Sequence, residues 1–340
     1  MKAAILTKYN APLTLADVEP CELAYGQVLV RIAASGICGA QLQEIRGEKG
    51  GPLPHLLGHE GCGIVERIGP GVTKVLPKQK VIMHWRKGAG IEADFPRYTY
   101  RKKEMTSGLV TTFSEMSICS ENRLTAVHDD TPSELCALLG CGLSTALGTV
   151  ENDANLKFGE RVLIIGCGGL GLNLIRACVM RCASTIAVLD LNDAKERAAH
   201  AMGATYFIEV NNGKWVGLSI LQTLRFDVIF DTAGASFTME QALPLLAPSG
   251  RYIMIGQPKP GESVSMTSAR HMFVGEGKTI KATQGGGFNP TTMIPRYIAL
   301  YESGRLNLDG IITHRFKLSD INKGIDLVKQ GQAGRVLIEP

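Results

Sequence analysis

Residues 161–177 read RVLIIGCGGLGLNLIRA. A β-prone apolar run enters the pattern Gly166-x-Gly168-x-x-Gly171, with Gly169 and Leu170 inside it, and a helix-length apolar segment leaves it. Glycines also mark plain tight turns, so the pattern alone is weak. Its position between a strand and a helix gives it weight. Glycines there permit a sharp turn, let the main chain approach a pyrophosphate and let the helix pack closely on the sheet. The phosphates then sit at the positive end of a helix beginning near Leu170. Nineteen residues past Gly171 the next strand, TIAVLD, ends in Asp190. A carboxylate there accepts ribose hydroxyl bonds from NAD and repels the extra phosphate of NADP. Leu191 and Asn192 follow, so no arginine waits for that phosphate and NAD is the expected cofactor. Lys195 suits either a ribose contact or an ordinary solvated helix face.

The same alternation continues to Ile255. A helix over 172–181, the strand TIAVLD, a helix over 194–202, and the strands TYFIEV, FDVIFD and YIMIG predict βαβ units and a parallel, doubly wound sheet. Upstream, to about residue 140, the texture differs: short β-prone runs (KAAILT, QVLVRIAASGI, GCGIVERIG, KVIMHW, FSEMSIC) are separated by Gly and Pro, as in a β-barrel. After Gly285 come a helix, PRYIALYESG, then THRFKL, a further helix and the closing strand RVLIEP. The expected fold class is α/β plus β-barrel. A catalytic domain split over 1–142 and 285–340 encloses a nucleotide-binding domain at 143–284, with the active site expected in the cleft between them.

Bulk properties narrow the function classes. A chain of 340 residues, 45% hydrophobic and 20% charged, has room for two ordinary globular cores. A net charge of +4 without any charged tail gives no reason to expect a nucleic-acid partner. No apolar run reaches the roughly 18 residues of a membrane span, and the N-terminus turns polar too early for a signal peptide. Nine scattered cysteines suit reduced thiols in the cytoplasm, where a special cysteine serves as ligand or nucleophile. Three segments stand out: GICGAQL with Cys38, LLGHEGCG with His59 and Glu60, and LLGCGLSTALG with Cys141. Glycines beside each hold a thiolate or imidazole on a tight turn. Two thiolates and an imidazole leave a fourth tetrahedral position open, as at a catalytic zinc. A buried cysteine is more often core than ligand, so on spacing alone both readings stand.

The order GICG, GHEGCG, GCGLSTALG, GCGGLG and strand-end Asp190 resembles the zinc-containing medium-chain alcohol dehydrogenase/reductase superfamily, over essentially the whole chain. FSEM (113–116), IGQP (255–258), TQGGGFNP (283–290) and the ending GQAGRVLI are also similar to its motifs, and the tail from Gly285 is similar to the branch containing S-hydroxymethylglutathione dehydrogenases. The resemblance implies a GroES-like barrel and a Rossmann nucleotide domain. It makes Cys38, His59 and Cys141 ligands of one catalytic zinc, with Glu60 a nearby carboxylate and possible fourth ligand; this ligand set is the one known for alcohol dehydrogenase, so its meaning is inherited. It places Thr145 against the nicotinamide, Ile255 and Gly256 beside it, and Arg335 on the pyrophosphate. It implies hydride exchange between NAD(H) and a small-molecule alcohol or carbonyl, by a homodimer or homotetramer.

Three departures bear on chemistry. Where the family commonly has Ser or Thr and then Asp after GICG, this chain has Ala40 and Gln41, and Gln43 occupies a further relay position. Ala40 passes no proton; Gln41 can hydrogen-bond His59 without the basicity a carboxylate adds. His84, on a strand resembling one that lines the substrate pocket with Ala40 and Trp85, is the expected replacement acid/base, against the reading of a histidine satisfied inside the barrel. An alternative is a reaction needing little relay, such as reduction of an iminium or activated carbonyl; a rival within the same class is NADH-dependent C=N or C=C reduction in a biosynthetic pathway. Finally, the four closely spaced cysteines of the family's structural zinc are missing, since none lies between Cys62 and Cys119, so no structural zinc is expected. Residues 84–104 instead carry six basic and three acidic side chains with Trp85 and Tyr98 interleaved, which suits a polar wall around an anionic or hydroxyl-rich substrate, or a solvated loop; the substrate classes expected are polyol, sugar, amino-cyclitol and thiol adduct. Two readings from other classes are a nucleotide-binding protein that has lost dehydrogenase activity and a zinc-free enoyl or quinone reductase. Retention of Cys38, His59 and Cys141 argues against both.

Overall fold

The computed structural model describes residues 1–211, 214–215, 224–266 and 269–340. Two units emerge, Met1–Ser144 with Asn289–Pro340, and Thr145–Phe288. The first unit begins with strands β1 (Lys2–Leu6), β2 (Thr14–Asp17), β3 (Glu19–Pro20) and β4 (Gln27–Ile37), then helix α1 (Gly39–Ile45). Strands β5 (His55–Leu56), β6 (Glu60–Ile68), β7 (Lys80–His84), β8 (Tyr98–Tyr100), β9 (Lys103–Ser107), β10 (Met116–Ser120) and β11 (Leu124–Val127) follow, then α2 (Ser133–Leu139) and α3 (Gly142–Gly148), within which the chain passes to the second unit. The second unit runs β12 (Arg161–Ile165), α4 (Gly169–Met180), β13 (Thr185–Asp190), α5 (Glu196–Met202), β14 (Tyr206–Asn211), β15 (Lys214–Trp215), β16 (Phe226–Asp231), α6 (Ser236–Ala242), β17 (Leu246–Met254) and β18 (Thr279–Ala282). The chain then returns to the first unit with α7 (Pro290–Glu302), β19 (Ile312–Lys317), α8 (Ile321–Lys329) and β20 (Arg335–Glu339).

In the first unit one sheet is ordered β11-β7-β6-β4-β20-β19, with β10 also pairing on β4. The sequence of β4, QVLVRIAASGI, explains its central place: nearly every position is buried, with Arg31 the exposed one, so both faces pack. Val28, Val30, Ile32, Val65, Val81 and Met83 form the core on one side. Ile37, Phe113, Ile321, Ile325, Val336 and Ile338 form another core beneath α8. Burying each such side chain contributes roughly 1.5–3 kcal/mol. A second sheet is ordered β2-β1-β5-β9-β8-β3. Two pairings matter for the site. Antiparallel β4 and β6 match Ser35 with Gly61, and antiparallel β20 and β4 match Val336 with Ile37. The end of β4, the start of β6 and the start of β20 therefore meet.

The second unit's sheet is ordered β15-β14-β13-β12-β16-β17-β18, parallel except for the β14–β15 pair. From β14 to β18 this is the doubly wound dinucleotide-binding order, with the direction of winding reversing between β12 and β16. Helix α4 starts at Gly169, one residue before Leu170 and three before the 172–181 range, with Gly168 as its N-cap and Gly169 and Gly171 in its first turn. Strand β18 was invisible to pattern reading: it sits at the sheet edge, half-buried only at Ile280, so it shows no apolar run. No single helix among the described residues is long and apolar enough to cross a membrane.

Candidate active site

Cys38 follows β4 directly, His59 precedes β6, and Cys141 lies between α2 and α3. The β4–β6 pairing brings the first two together, and the apolar helix α2 (SELCALL), packed on β4, β6 and β7, delivers the third. The donor atoms of Cys38, His59 and Cys141 all lie within 4.8 Å of one another, and His59 Nε2 is 3.2 Å from Cys141 Sγ. A tetrahedral zinc, with sulfur at about 2.3 Å and nitrogen at about 2.0–2.1 Å, separates such ligand atoms by roughly 3.5–3.8 Å. The three residues thus fit the ion in spacing and in donor chemistry. With the donors alone, a hydrogen bond from the Cys141 thiol, outweighing burial, holds Cys38 well below the ordinary thiol range, helped by His59 and Arg335. Cys141 is correspondingly pushed up by that same hydrogen bond, by burial and by the Cys38 charge. Burial pushes His59 down, but its hydrogen bond to Cys38 and the Cys38 and Glu60 charges raise it by more. The donors alone thus favour a single thiolate, at Cys38.

Beside it Glu60 and Arg335 form a buried ion pair, Nη1 to Oε1 at 3.0 Å, with side-chain exposures of 0% and 4%. The other Glu60 oxygen accepts the Gly142 N–H at 2.9 Å. Glu60 was expected as a possible fourth ligand; both its oxygens have other partners here, and it stands outside the donor cluster. Burial raises Glu60, opposed chiefly by Arg335. Burial also works against the Arg335 charge, but Glu60 and the two thiols raise Arg335 overall. Only glycine fits at 142, since a Cβ there would lie 1.2 Å from Arg335 Nη2.

The glycine turn of the second unit is equally specific. Gly166 has φ of +94°, and a Cβ on Gly171 would lie 2.0 Å from the Gly166 carbonyl oxygen. Asp190 ties this turn to the end of β13, accepting the Cys167 N–H at 2.6 Å and the Asn192 N–H at 3.0 Å. Lys195 reaches both Asp190 oxygens at 3.0 Å and is largely buried, so it is no solvated helix-face cation. Ile255 and Gly256 are held by N–H bonds to the Asp231 carbonyl at 2.8 and 2.9 Å. Pattern reading missed Asp231 itself. Its buried carboxylate accepts from Tyr252 Oη at 2.7 Å, Ala233 N–H at 2.8 Å and Gly234 N–H at 3.1 Å, ordering the loop after β16. An acid closing the apolar run FDVIFD and followed by Thr-Ala-Gly was the available signal, the same one that exposed Asp190.

Residues 24–129 match the alcohol dehydrogenase GroES-like domain, and residues 169–303 match the zinc-binding dehydrogenase family. The chain is 30% identical to S-(hydroxymethyl)glutathione dehydrogenase of Paracoccus denitrificans, with 99% of each chain covered. It belongs to the zinc-containing medium-chain alcohol dehydrogenase/reductase superfamily. As a member it is an alcohol-dehydrogenase-type oxidoreductase. It is also 30% identical to alcohol dehydrogenase 6 of Peromyscus maniculatus, over 100% of this chain and 97% of that one. Its fold is shared with an alcohol dehydrogenase zinc-binding domain protein from Burkholderia ambifaria (TM-score 0.91, 23% identity, 99% and 98% covered) and with benzyl alcohol dehydrogenase from Acinetobacter calcoaceticus (TM-score 0.89, 23% identity, 99% and 98% covered).

Within this superfamily member the expectation for His84 is corrected. It stands across from Glu60 in the β6–β7 register, yet its ring is fully buried and both nitrogens are engaged. Nδ1 donates to the Arg86 carbonyl at 2.7 Å, leaving Nε2 to accept from Thr125 Oγ1 at 3.0 Å. Burial pushes it down to about 4, so it stays neutral and has no free lone pair for a substrate proton. The unfolded chain, with histidine near 6.5, binds that proton first as the pH falls. The His84 contribution is complete above about pH 6.5 and declines toward pH 4, by roughly 3 kcal/mol in all. His84→Gln is expected to flatten the fall of the urea midpoint between pH 6.5 and 4 while leaving the pH profile of turnover above 6.5 unchanged. A displaced turnover profile would restore the acid–base role.

Ala40 lies in the first turn of α1 beside Cys38, and Gln41 Nε2 is 2.5 Å from His59 Nδ1. Trp85, half-buried, lies under the Arg86 guanidinium, 5.5 Å from the ring centroid. The charged segment after it is partly paired: Glu92 with Arg123 at 2.8 Å and Lys87 at 3.6 Å, and Arg97 with Glu104 at 2.7 Å. Arg123, itself buried, also donates to the Trp85 carbonyl.

Proposed function

We propose that this enzyme exchanges a hydride between NAD(H) and an alcohol or carbonyl carbon of a small polar substrate, with polyols, sugars, amino-cyclitols and thiol adducts as the classes to test. The convergence of Cys38, His59 and Cys141 within 4.8 Å carries the reading. Bound there, zinc supplies a Lewis acid for the substrate oxygen, and the nicotinamide supplies or accepts the hydride. The protein holds the ion through those three side chains and the dinucleotide through Gly166, Gly168, Gly169, Leu170 and Gly171, with Thr145, Ile255 and Gly256 at the nicotinamide and Arg335 at the pyrophosphate. With Ala40 lacking a hydroxyl and His84 engaged, the substrate proton leaves by a route that uses neither. A relative named for a hydroxymethyl thiol adduct supports the polar class. The nine free cysteines suit the reducing cytoplasm, and a homo-oligomer belongs to the same proposal.

The test is a panel of those substrate classes followed through NADH absorbance, on protein of measured zinc content. Turnover that tracks zinc occupancy supports the reading; full turnover on zinc-stripped protein overturns it. NAD preference is tested at Asp190. Its two oxygens hold Lys195, and Asp190→Ser both removes the repelling charge and frees that cation for a phosphate. The expected result is a shift in the NADPH-to-NADH ratio of kcat/KM on the order of tenfold or more, the size of one charge-assisted contact of about 1.5–3 kcal/mol. An unchanged ratio would take ribose recognition away from Asp190.

A further inference from the structure

We propose that Gln41 sets how tightly zinc is held, and that it holds it less tightly than a carboxylate at the same place would. The inference rests on the zinc reading above. Gln41 is fully buried in the first turn of α1. Its Oε1 accepts the Cys38 N–H at 3.0 Å, and its Nε2 lies 2.5 Å from His59 Nδ1. Among the described residues Gln41 is the hydrogen-bond partner of that ring nitrogen. The other ring nitrogen, Nε2, faces Cys141 Sγ at 3.2 Å and is the one placed to bind the ion.

Donor and acceptor counts then conflict. A neutral imidazole that gives one nitrogen to zinc carries its hydrogen on the other. His59 Nδ1 is then a donor, and the Cys38 backbone presents a second donor to the same side chain. A glutamine amide offers one acceptor oxygen and one NH2 group. As placed, the NH2 group faces Nδ1, donor against donor. Turning the amide over relieves that contact and sets the NH2 group against the Cys38 N–H instead. Each orientation leaves two buried donors competing for a single oxygen. A carboxylate resolves both contacts, one oxygen for each N–H. Gln41 is therefore a positioning residue whose mismatch appears when zinc binds.

The experiment is chelator competition for zinc on the full-length protein, comparing wild type with Gln41→Glu, Gln41→Asp, Gln43→Glu and Cys141→Ala. The two carboxylate variants differ in length, so one that fails to fold leaves the other to decide. At least one is expected to bind zinc about tenfold more tightly than wild type, the lower end of what a ligand's hydrogen-bond partner is worth. Gln43→Glu adds the same charge two positions along, at a residue that is not the hydrogen-bond partner of His59 Nδ1, and is expected to stay within about threefold of wild type. Folded carboxylate variants that bind zinc no more tightly than wild type overturn the proposal, as does an equal gain in Gln43→Glu. A role confined to shaping α1 would move the melting temperature of the stripped proteins and leave the zinc dissociation constant alone. If Cys141→Ala holds zinc as well as wild type does, the zinc reading itself fails, whatever the Gln41 variants show.

Discussion

Replacing Cys141 by alanine is expected to strip the protein of zinc and lower kcat/KM by about three orders of magnitude or more. Cys141 supplies one of the three donors clustered among the described residues, and its loss leaves a thiolate and an imidazole, too few to hold the ion against solvent. Lewis-acid stabilisation is worth several kcal/mol, and each 1.36 kcal/mol is tenfold in rate, so losing about 4 kcal/mol gives about 10³. The fold is expected to survive, because the truncation removes one sulfur at the junction of α2 and α3 while Leu135, Leu138 and Leu139 keep α2 seated. Zinc content, steady-state kinetics and circular dichroism on one preparation check all three statements. A variant with full zinc and near-normal turnover would remove Cys141 from the site.

Arg335→Met is expected to cost about 3–5 kcal/mol of stability, the usual penalty for leaving one half of a buried ion pair without its partner. Glu60 is fully buried, and Arg335 is its only ion-pair partner among the described residues, with the Gly142 N–H on the other oxygen. Methionine fills much of the arginine volume, so the loss reports charge more than packing. Glu60→Gln in the same chain removes the orphaned charge while keeping an acceptor for Gly142, and the double variant is expected to recover a large part of the loss. Urea midpoints at neutral pH for the two single variants and the double variant decide it. If Arg335→Met alone loses less than about 1 kcal/mol, the range of an exposed pair, the buried pair is not a structural support.

Much of the site was legible because its geometry is local. Glycines flank Cys38, His59 and Cys141 since each must sit on a turn at a strand or helix end, and the Gly166–Gly171 turn announces itself within six residues. What was illegible depends on register between distant strands. His84 reads as a pocket histidine until β7 is paired with β11, which sets Thr125 within 3.0 Å of its ring. Arg335, assigned to the pyrophosphate by resemblance alone, shows its buried partner only when β20 is laid against β4, which sets it beside Glu60. Asp231 needs Tyr252 from the neighbouring strand to show why an acid ends a buried run. In each case the residue type was informative and its partners were not, because partners are a property of topology.

The segment after β7, with no cysteine before Cys119, is fastened through oxygen. Glu121 takes the backbone N–H groups of Thr73, Lys74 and Ile91, the latter two at 2.6 and 2.8 Å, and Glu92 takes Arg123 and Asn122. Although burial works against both carboxylates, these bonds hold each below the ordinary range. Their support is in full force above the usual carboxylate pKa and drains away as the medium is acidified through the lowered values. Peroxide and chelators find nothing to attack in this fastening, whereas protons do. Fastened without sulfur, the segment is held by contacts open to acid and closed to oxidants.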